Sequence, residues 1–127
     1  MIKKKLVYIA SPYSGEIEKN VAFAKAACRY AIEQDCAPIA VHLIYPQLLD
    51  DGVPKERETG LQLGIQVLNV CDELWLCGET ISEGMQGEWA AAVRWGLPVR
   101  MVSSERVLPY LQHEEPEEEF PEALAIS

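Results

Sequence analysis

Short apolar runs alternate along the chain with longer stretches in which apolar residues recur every three or four positions. Residues 6–10 (Leu-Val-Tyr-Ile-Ala), 36–41, 70–77 and 99–102 are the short runs. Their length and their β-branched and aromatic content predict buried strands, the second weakened by Pro38. Between them, residues 16–32 place Ile17, Val21, Ala24, Cys28 and Ala31 at helical spacing, and residues 56–69 place Leu61, Ile65 and Leu68 on one side. Residues 81–95 hold a Ser/Gly loop and then a small-residue helix that stops at Gly96-Leu97-Pro98. Residues 42–52 form a long connection with one helical turn, and residues 107–111 a short helix.

Strands separated by helices imply βαβ units, right-handed crossovers and a parallel sheet covered on both faces. In such sheets ligands bind beyond the carboxyl ends of the strands, where the strand order switches. The segments leaving those ends are residues 11–15, 42–46, 78–84 and 103–104, all rich in hydrogen-bonding groups. Their convergence predicts a small-molecule site.

Composition narrows the ligand. The 127 residues form one domain with a single core. The formal net charge of −9 disfavours a long nucleic acid, whose phosphates require clustered Lys and Arg. Glu114, Glu115, Glu117, Glu118, Glu119 and Glu122 concentrate that charge at one end, so the rest is closer to neutral and can accept one small anionic ligand. The expected organisation is an α/β domain over residues 1–111 and an acidic, flexible tail over residues 112–127, whose Glu/Pro-rich composition buries little apolar surface. With no apolar run near twenty residues and no CxxC among Cys28, Cys36, Cys71 and Cys77, a cytoplasmic protein with reduced thiols and no membrane partner is expected. No metal or other cofactor is implied.

Several residues could carry chemistry, each with a plainer explanation beside it. Ser11, Pro12, Tyr13, Ser14 and Gly15 could cradle a phosphate through hydroxyls and amides, yet Ser and Gly are also what βα turns are made of. The loop is neither GxGxxG nor a Walker sequence. His42 follows a strand and could contact a ligand or simply be structural. Ser82, Gly84 and Met85 open a helix whose amides could hold an anion, with Ser82 able to cap it instead. Glu88 lies one to two turns inside that helix, where a carboxylate either faces the crevice or complements the helix dipole, as Glu83 also can.

The motifs Tyr8-Ile9-Ala10-Ser11-Pro12-Tyr13, Cys71-Asp72-Glu73-Leu74-Trp75 and Ser82-x-Gly84-Met85-x-x-Glu88, followed by Ala90-Ala91-Ala92 and Gly96-Leu97-Pro98-Val99, resemble the nucleoside 2-deoxyribosyltransferase superfamily. That group includes the deoxynucleoside-monophosphate N-glycosidases and small bacterial and phage proteins. The resemblance spans residues 6–102 and is strongest over residues 72–88. It implies a five-stranded sheet, so the fold expected is an α/β, three-layer Rossmann-like (flavodoxin-like) sandwich with a mostly parallel sheet of four to five strands. It also implies that Glu88 is a nucleophile attacking the anomeric carbon and that Tyr8 helps to hold it. Ser82 matches a serine that binds the 5′-phosphate, and Ser11 and Ser14 lie on the loop that contacts sugar and phosphate. The partners implied are a small-molecule nucleoside or nucleotide and further copies of the chain, as a homodimer or higher homo-oligomer.

One departure stands out. The family's aspartate that protonates the leaving base falls, counted back from Asp72, at Gly64. Glu56, Glu58 and Asp50 are the acidic residues that could replace it. Two functions are therefore expected in competition. One is cleavage or transfer of the N-glycosidic bond of a (deoxy)nucleoside or its 5′-monophosphate. The other is a non-catalytic nucleotide-binding module, a sensor or sequestering protein, with the same pocket. A plain structural α/β domain is the third.

Overall fold

The computed structural model describes residues 3–111, so the expectations for the tail at 112–127 fall outside the described residues. The strands are β1 (Lys5–Ala10), β2 (Cys36–Ile39), β3 (Glu73–Cys77) and β4 (Val99–Val102). The helices are α1 (Ile17–Glu33), α2 (Pro54–Asn69), α3 (Glu83–Trp95) and α4 (Ser104–Val107), with single 3₁₀ turns at Val41–Leu43, Tyr45–Gln47 and Leu108–Tyr110. All strand pairs are parallel and the order is β2-β1-β3-β4. The chain leaves β1 for one side of the sheet and returns on its other side at β3. The switch point thus lies between the carboxyl ends of β1 and β3.

Side chains of β1 and β3 alternate between two cores. Val7, Ile9, Trp75 and Cys77 pack with Ala26, Ala27 and Tyr30 of α1 and Val107 of α4. Tyr8, Ala10, Leu74 and Leu76 pack with Leu68 of α2 and Met85, Ala91 and Ala92 of α3. The sheet is therefore the middle of three layers, and its two central strands are apolar on both faces, as a covered parallel sheet requires. Pro38 is accommodated because β2 is an edge strand, where one missing N–H is tolerated.

Three boundaries differ from the sequence pattern. Val70 and Cys71 do not begin β3; their amides donate to the Val67 and Leu68 carbonyls and close α2. β3 starts only where Asp72 clamps β1, accepting the Leu6 N–H at 2.7 Å and donating its own amide to the Leu6 carbonyl at 2.7 Å. Ala40 and Val41 leave the second strand, Val41 opening a 3₁₀ turn instead. The helix expected at 107–111 begins earlier, at Ser104, because Glu79 captures the Ser104 amide at 2.8 Å and hydroxyl at 2.6 Å.

Candidate active site

The site is built outward from α3. Its buried positions are Met85, Glu88, Ala91 and Ala92, the spacing of one helical face turned to the core. Glu88 is thus a carboxyl group set in an apolar stripe, 7% exposed. Dipole complementation does not account for it, since Glu83 sits in the first turn and is exposed. Tyr8, fully buried on β1, lies on the same side of the sheet.

The Tyr8 hydroxyl and Glu88 Oε1 are, among the described residues, the two buried side-chain polar atoms with no hydrogen-bond partner. A buried polar group left unpaired costs about 1–3 kcal/mol, and such groups are rare enough in folded proteins to require a reason. Burial raises the pKa of Glu88 to about 7, opposed by the Tyr8 hydroxyl. Burial, and then the neighbouring Glu88, push the Tyr8 hydroxyl far above its ordinary value. The two groups therefore feel each other, although no hydrogen bond of good geometry joins them. A carboxyl group poised near neutrality, with lone pairs unspent, has the electronic state a nucleophile or a base needs.

Gly64 forms the wall behind this pair. A Cβ there would lie 3.3 Å from the Tyr8 hydroxyl and 3.5 Å from a Val41 methyl. A side chain at 64 would press on the Tyr8 hydroxyl.

The loop after β1 carries the next group. Ser11 is buried, Pro12 and Tyr13 are half-buried, and Ser14 and Gly15 are exposed. Asn20 of α1 holds this loop, its Nδ2 donating to the Tyr13 and Ser14 carbonyls at 3.0 Å each. Gly15 has φ +97°, a conformation that strains any residue with a Cβ. The Tyr13 ring sits 5.8 Å from the half-buried His42 ring, inclined at 41°. Burial lowers the His42 pKa, against the opposing influence of the Ser11 main chain and Asp51.

An open cleft of about 700 Å³ runs between this loop and the β2–α2 connection. Tyr13, Ser14 and Gly15 form one wall, and residues 46–51 with Glu56 the other. Tyr8, Ser82 and Glu88 do not line it. Of the substitutes for a missing acid, Glu56 and Asp50 face this cleft, whereas Glu58 is exposed and lies beside Gln62.

At the start of α3, Ser82 is a cap: its Oγ accepts the Met85 N–H at 3.3 Å, and its own amide donates to Met85 Sδ at 3.5 Å. Its hydroxyl proton remains available to a ligand. Gly84 is exposed, with open space where a Cβ would be. Met85 lies wholly inside the core, and its amide and sulfur both belong to the cap.

The structure thus brings Tyr8 and Glu88 together. It places Tyr13, Ser14 and Gly15 on the cleft, with Tyr13 against His42, and Ser82 and Gly84 at the start of α3, the helix that carries Glu88. Sequence reasoning passed over Asn20, although an Asn in the first turn after a Ser/Gly loop is a recognisable tether. It also passed over Glu79, whose bonds to Ser104 depend on a contact no local pattern announces.

Comparison with known proteins bears on the fold. The chain is similar to a 2-deoxyribosyltransferase from the psychrotolerant bacterium Bacillus psychrosaccharolyticus, with TM-score 0.60 and 19% identity over 77% of this chain and 72% of that one. It is also similar to a 2-deoxyribosyltransferase from Leishmania mexicana, with TM-score 0.57 and 17% identity over 78% of this chain, which spans 64% of the Leishmania protein's length. At these identities the likeness establishes a shared α/β fold. No curated protein matches the chain. Among the described residues no helix is long and apolar enough to cross a membrane. The model of a protein family described as "Domain of unknown function (DUF7768)" matches residues 5–102, most of the chain, and the protein belongs to that family.

Proposed function

We propose that this protein cleaves or transfers the N-glycosidic bond of a nucleoside or its 5′-monophosphate, with Glu88 as the nucleophile. The observation that carries the reading is the Tyr8–Glu88 pair, two buried unpartnered oxygens on the core-facing sides of β1 and α3. Breaking an N-glycosidic bond builds positive charge at the anomeric carbon, which a carboxylate stabilises and can trap as an ester. Burial that leaves Glu88 incompletely solvated raises its nucleophilicity, and the Tyr8 hydroxyl favours its charged form. Ser14 and the β1–α1 loop would hold the sugar, and the Ser82 hydroxyl with the first amides of α3 a 5′-phosphate. The shared fold with two 2-deoxyribosyltransferases supports the same chemistry.

A homo-oligomer belongs to this reading, because Trp89 and Val93 expose apolar surface on α3 beside Glu88. Sedimentation of the full chain tests it, and a monomer at assay concentration would remove it. The second reading, a nucleotide-binding module without turnover, is favoured by one observation: Gly64 stands where the resemblance places an acid. Incubation with a panel of deoxynucleosides, ribonucleosides and their 5′-monophosphates separates the two. Chromatographic release of base that vanishes in Glu88→Ala is the result expected of the enzyme. Tight binding without release at any pH would leave the module.

A further inference from the structure

A nucleobase departing from a sugar takes the bonding electrons with it, and a neutral base must gain a proton to leave well. The source of that proton is the question that Gly64 raises. A side chain at 64 on α2 presses on the pair at once, because a Cβ there already comes within 3.3 Å of the Tyr8 hydroxyl. Among the described residues, no titratable side chain besides the Tyr8 hydroxyl bears on Glu88 strongly enough to shift it. The groups felt by Tyr8, other than Glu88, are a thiol and a phenol, Cys71 and Tyr45, and burial pushes the Cys71 thiol up to about 11. A thiol raised so far, like the Tyr8 hydroxyl, is a poor acid at neutral pH.

Two acidic groups on the cleft, Asp50 and Glu56, each accept a main-chain amide. Glu56 Oε1 accepts the Asp50 N–H at 3.2 Å, and Asp50 Oδ1 accepts the Gly52 N–H at 2.8 Å. Glu56 also stands two helical turns from Gly64, about 12 Å along the axis of α2. The cleft itself carries Asp50, Asp51 and Glu56 with no Lys, Arg or His lining it among the described residues, and Tyr13 forms part of its wall. Such a lining suits a cation, through charge, better than an anion.

We infer that the site is built for nucleosides whose base already carries a fixed positive charge, such as N-alkylated purine or pyridinium nucleosides. The inference rests on the N-glycosidic reading above and names its substrate class. A Glu88 carboxylate oxygen forms the ester bond to the anomeric carbon as the C–N bond breaks. The electron pair of that bond goes to the ring nitrogen and cancels its positive charge. The base leaves neutral and no proton is needed. Water then attacks the anomeric carbon, its hydroxyl staying on the sugar and its proton passing to solvent, and the carboxylate is restored.

The test compares 7-methylguanosine with guanosine, and their 2′-deoxy counterparts, at mildly acidic pH where the methylated ring is cationic. Base release by the full chain is measured above the uncatalysed rate, with Glu88→Gln as the control. General acid catalysis is worth about 10²–10⁴-fold, so kcat/KM for the methylated member of a pair is expected to exceed that of its parent by at least about 100-fold. Turnover of parent and methylated forms within about threefold of each other, lost in Glu88→Gln, would overturn the inference and leave the N-glycosidase reading in place. No release from any of the four would overturn both.

Discussion

Replacing Glu88 with Gln keeps the size of the side chain and removes its charge, so it isolates what the buried carboxylate costs the fold. Glu88 has its pKa raised from 4.5 to about 7 in the folded chain, with burial as the cause. Below the unfolded-state value both states hold the proton and the group is neutral towards stability. As pH rises from about 4.5 to about 7 the unfolded chain gives up its proton while the folded chain keeps it. Stability is lost across that window and the loss is constant above it. A difference of about 2.5 in pKa, at about 1.36 kcal/mol per unit, sets the full penalty at roughly 3 kcal/mol. Urea melts of the wild type and Glu88→Gln between pH 5 and pH 8 read the difference directly, since every other carboxyl group is common to both. The variant is expected to gain little at pH 5 and roughly 3 kcal/mol at pH 8, with the gap opening between them. A gap that does not change with pH, or a variant less stable at pH 8, would refute the account of Glu88 as an unpaired buried acid.

Further consequences follow from the same geometry. Tyr8→Phe removes a buried hydroxyl that has no partner, so it should stabilise the fold by about 1 kcal/mol while moving the acid limb of kcat/KM to higher pH, because the hydroxyl favours the Glu88 carboxylate; an unchanged limb would exclude the contact. Gly64→Ala gains about 1 kcal/mol of helix propensity but presses on the Tyr8 hydroxyl, so stability should stay within about 1 kcal/mol while base release falls by about tenfold or more. Activity that survives this substitution would show that the fit of Tyr8 against α2 is immaterial. Asn20→Ala cuts both tethers of the β1–α1 loop, at about 1 kcal/mol each, and should raise KM more than it lowers kcat; the reverse pattern would argue against a binding role for the loop.

The layers and the strand count were open to sequence reading because strands buried on both faces leave continuous apolar runs, as residues 6–10 and 74–77 do. Their boundaries were less open. Val70 and Cys71 are as apolar as a strand start, and only the Asp72 clamp on Leu6, a contact between distant segments, fixes where β3 begins. Pattern alone left Glu88 divided between dipole and crevice; its place in step with Met85, Ala91 and Ala92 decides that it faces inward. Met85 is legible in the sequence as part of a helix start. That its flexible thioether fills the core and closes the cap depends on packing. Gly64 could be flagged as a missing acid, but not as the hollow into which Tyr8 fits, since that depends on the packing of β1 against α2.

The central claim is that Glu88 forms a covalent bond to the sugar. Protein quenched in acid during turnover of the best substrate, then digested and examined by mass spectrometry, tests it most directly. The account predicts the mass of the sugar added to the peptide holding Glu88 and located on that residue, with no adduct in Glu88→Gln. Steady base release with an adduct on another residue, or release that continues unabated in the variant, would contradict it.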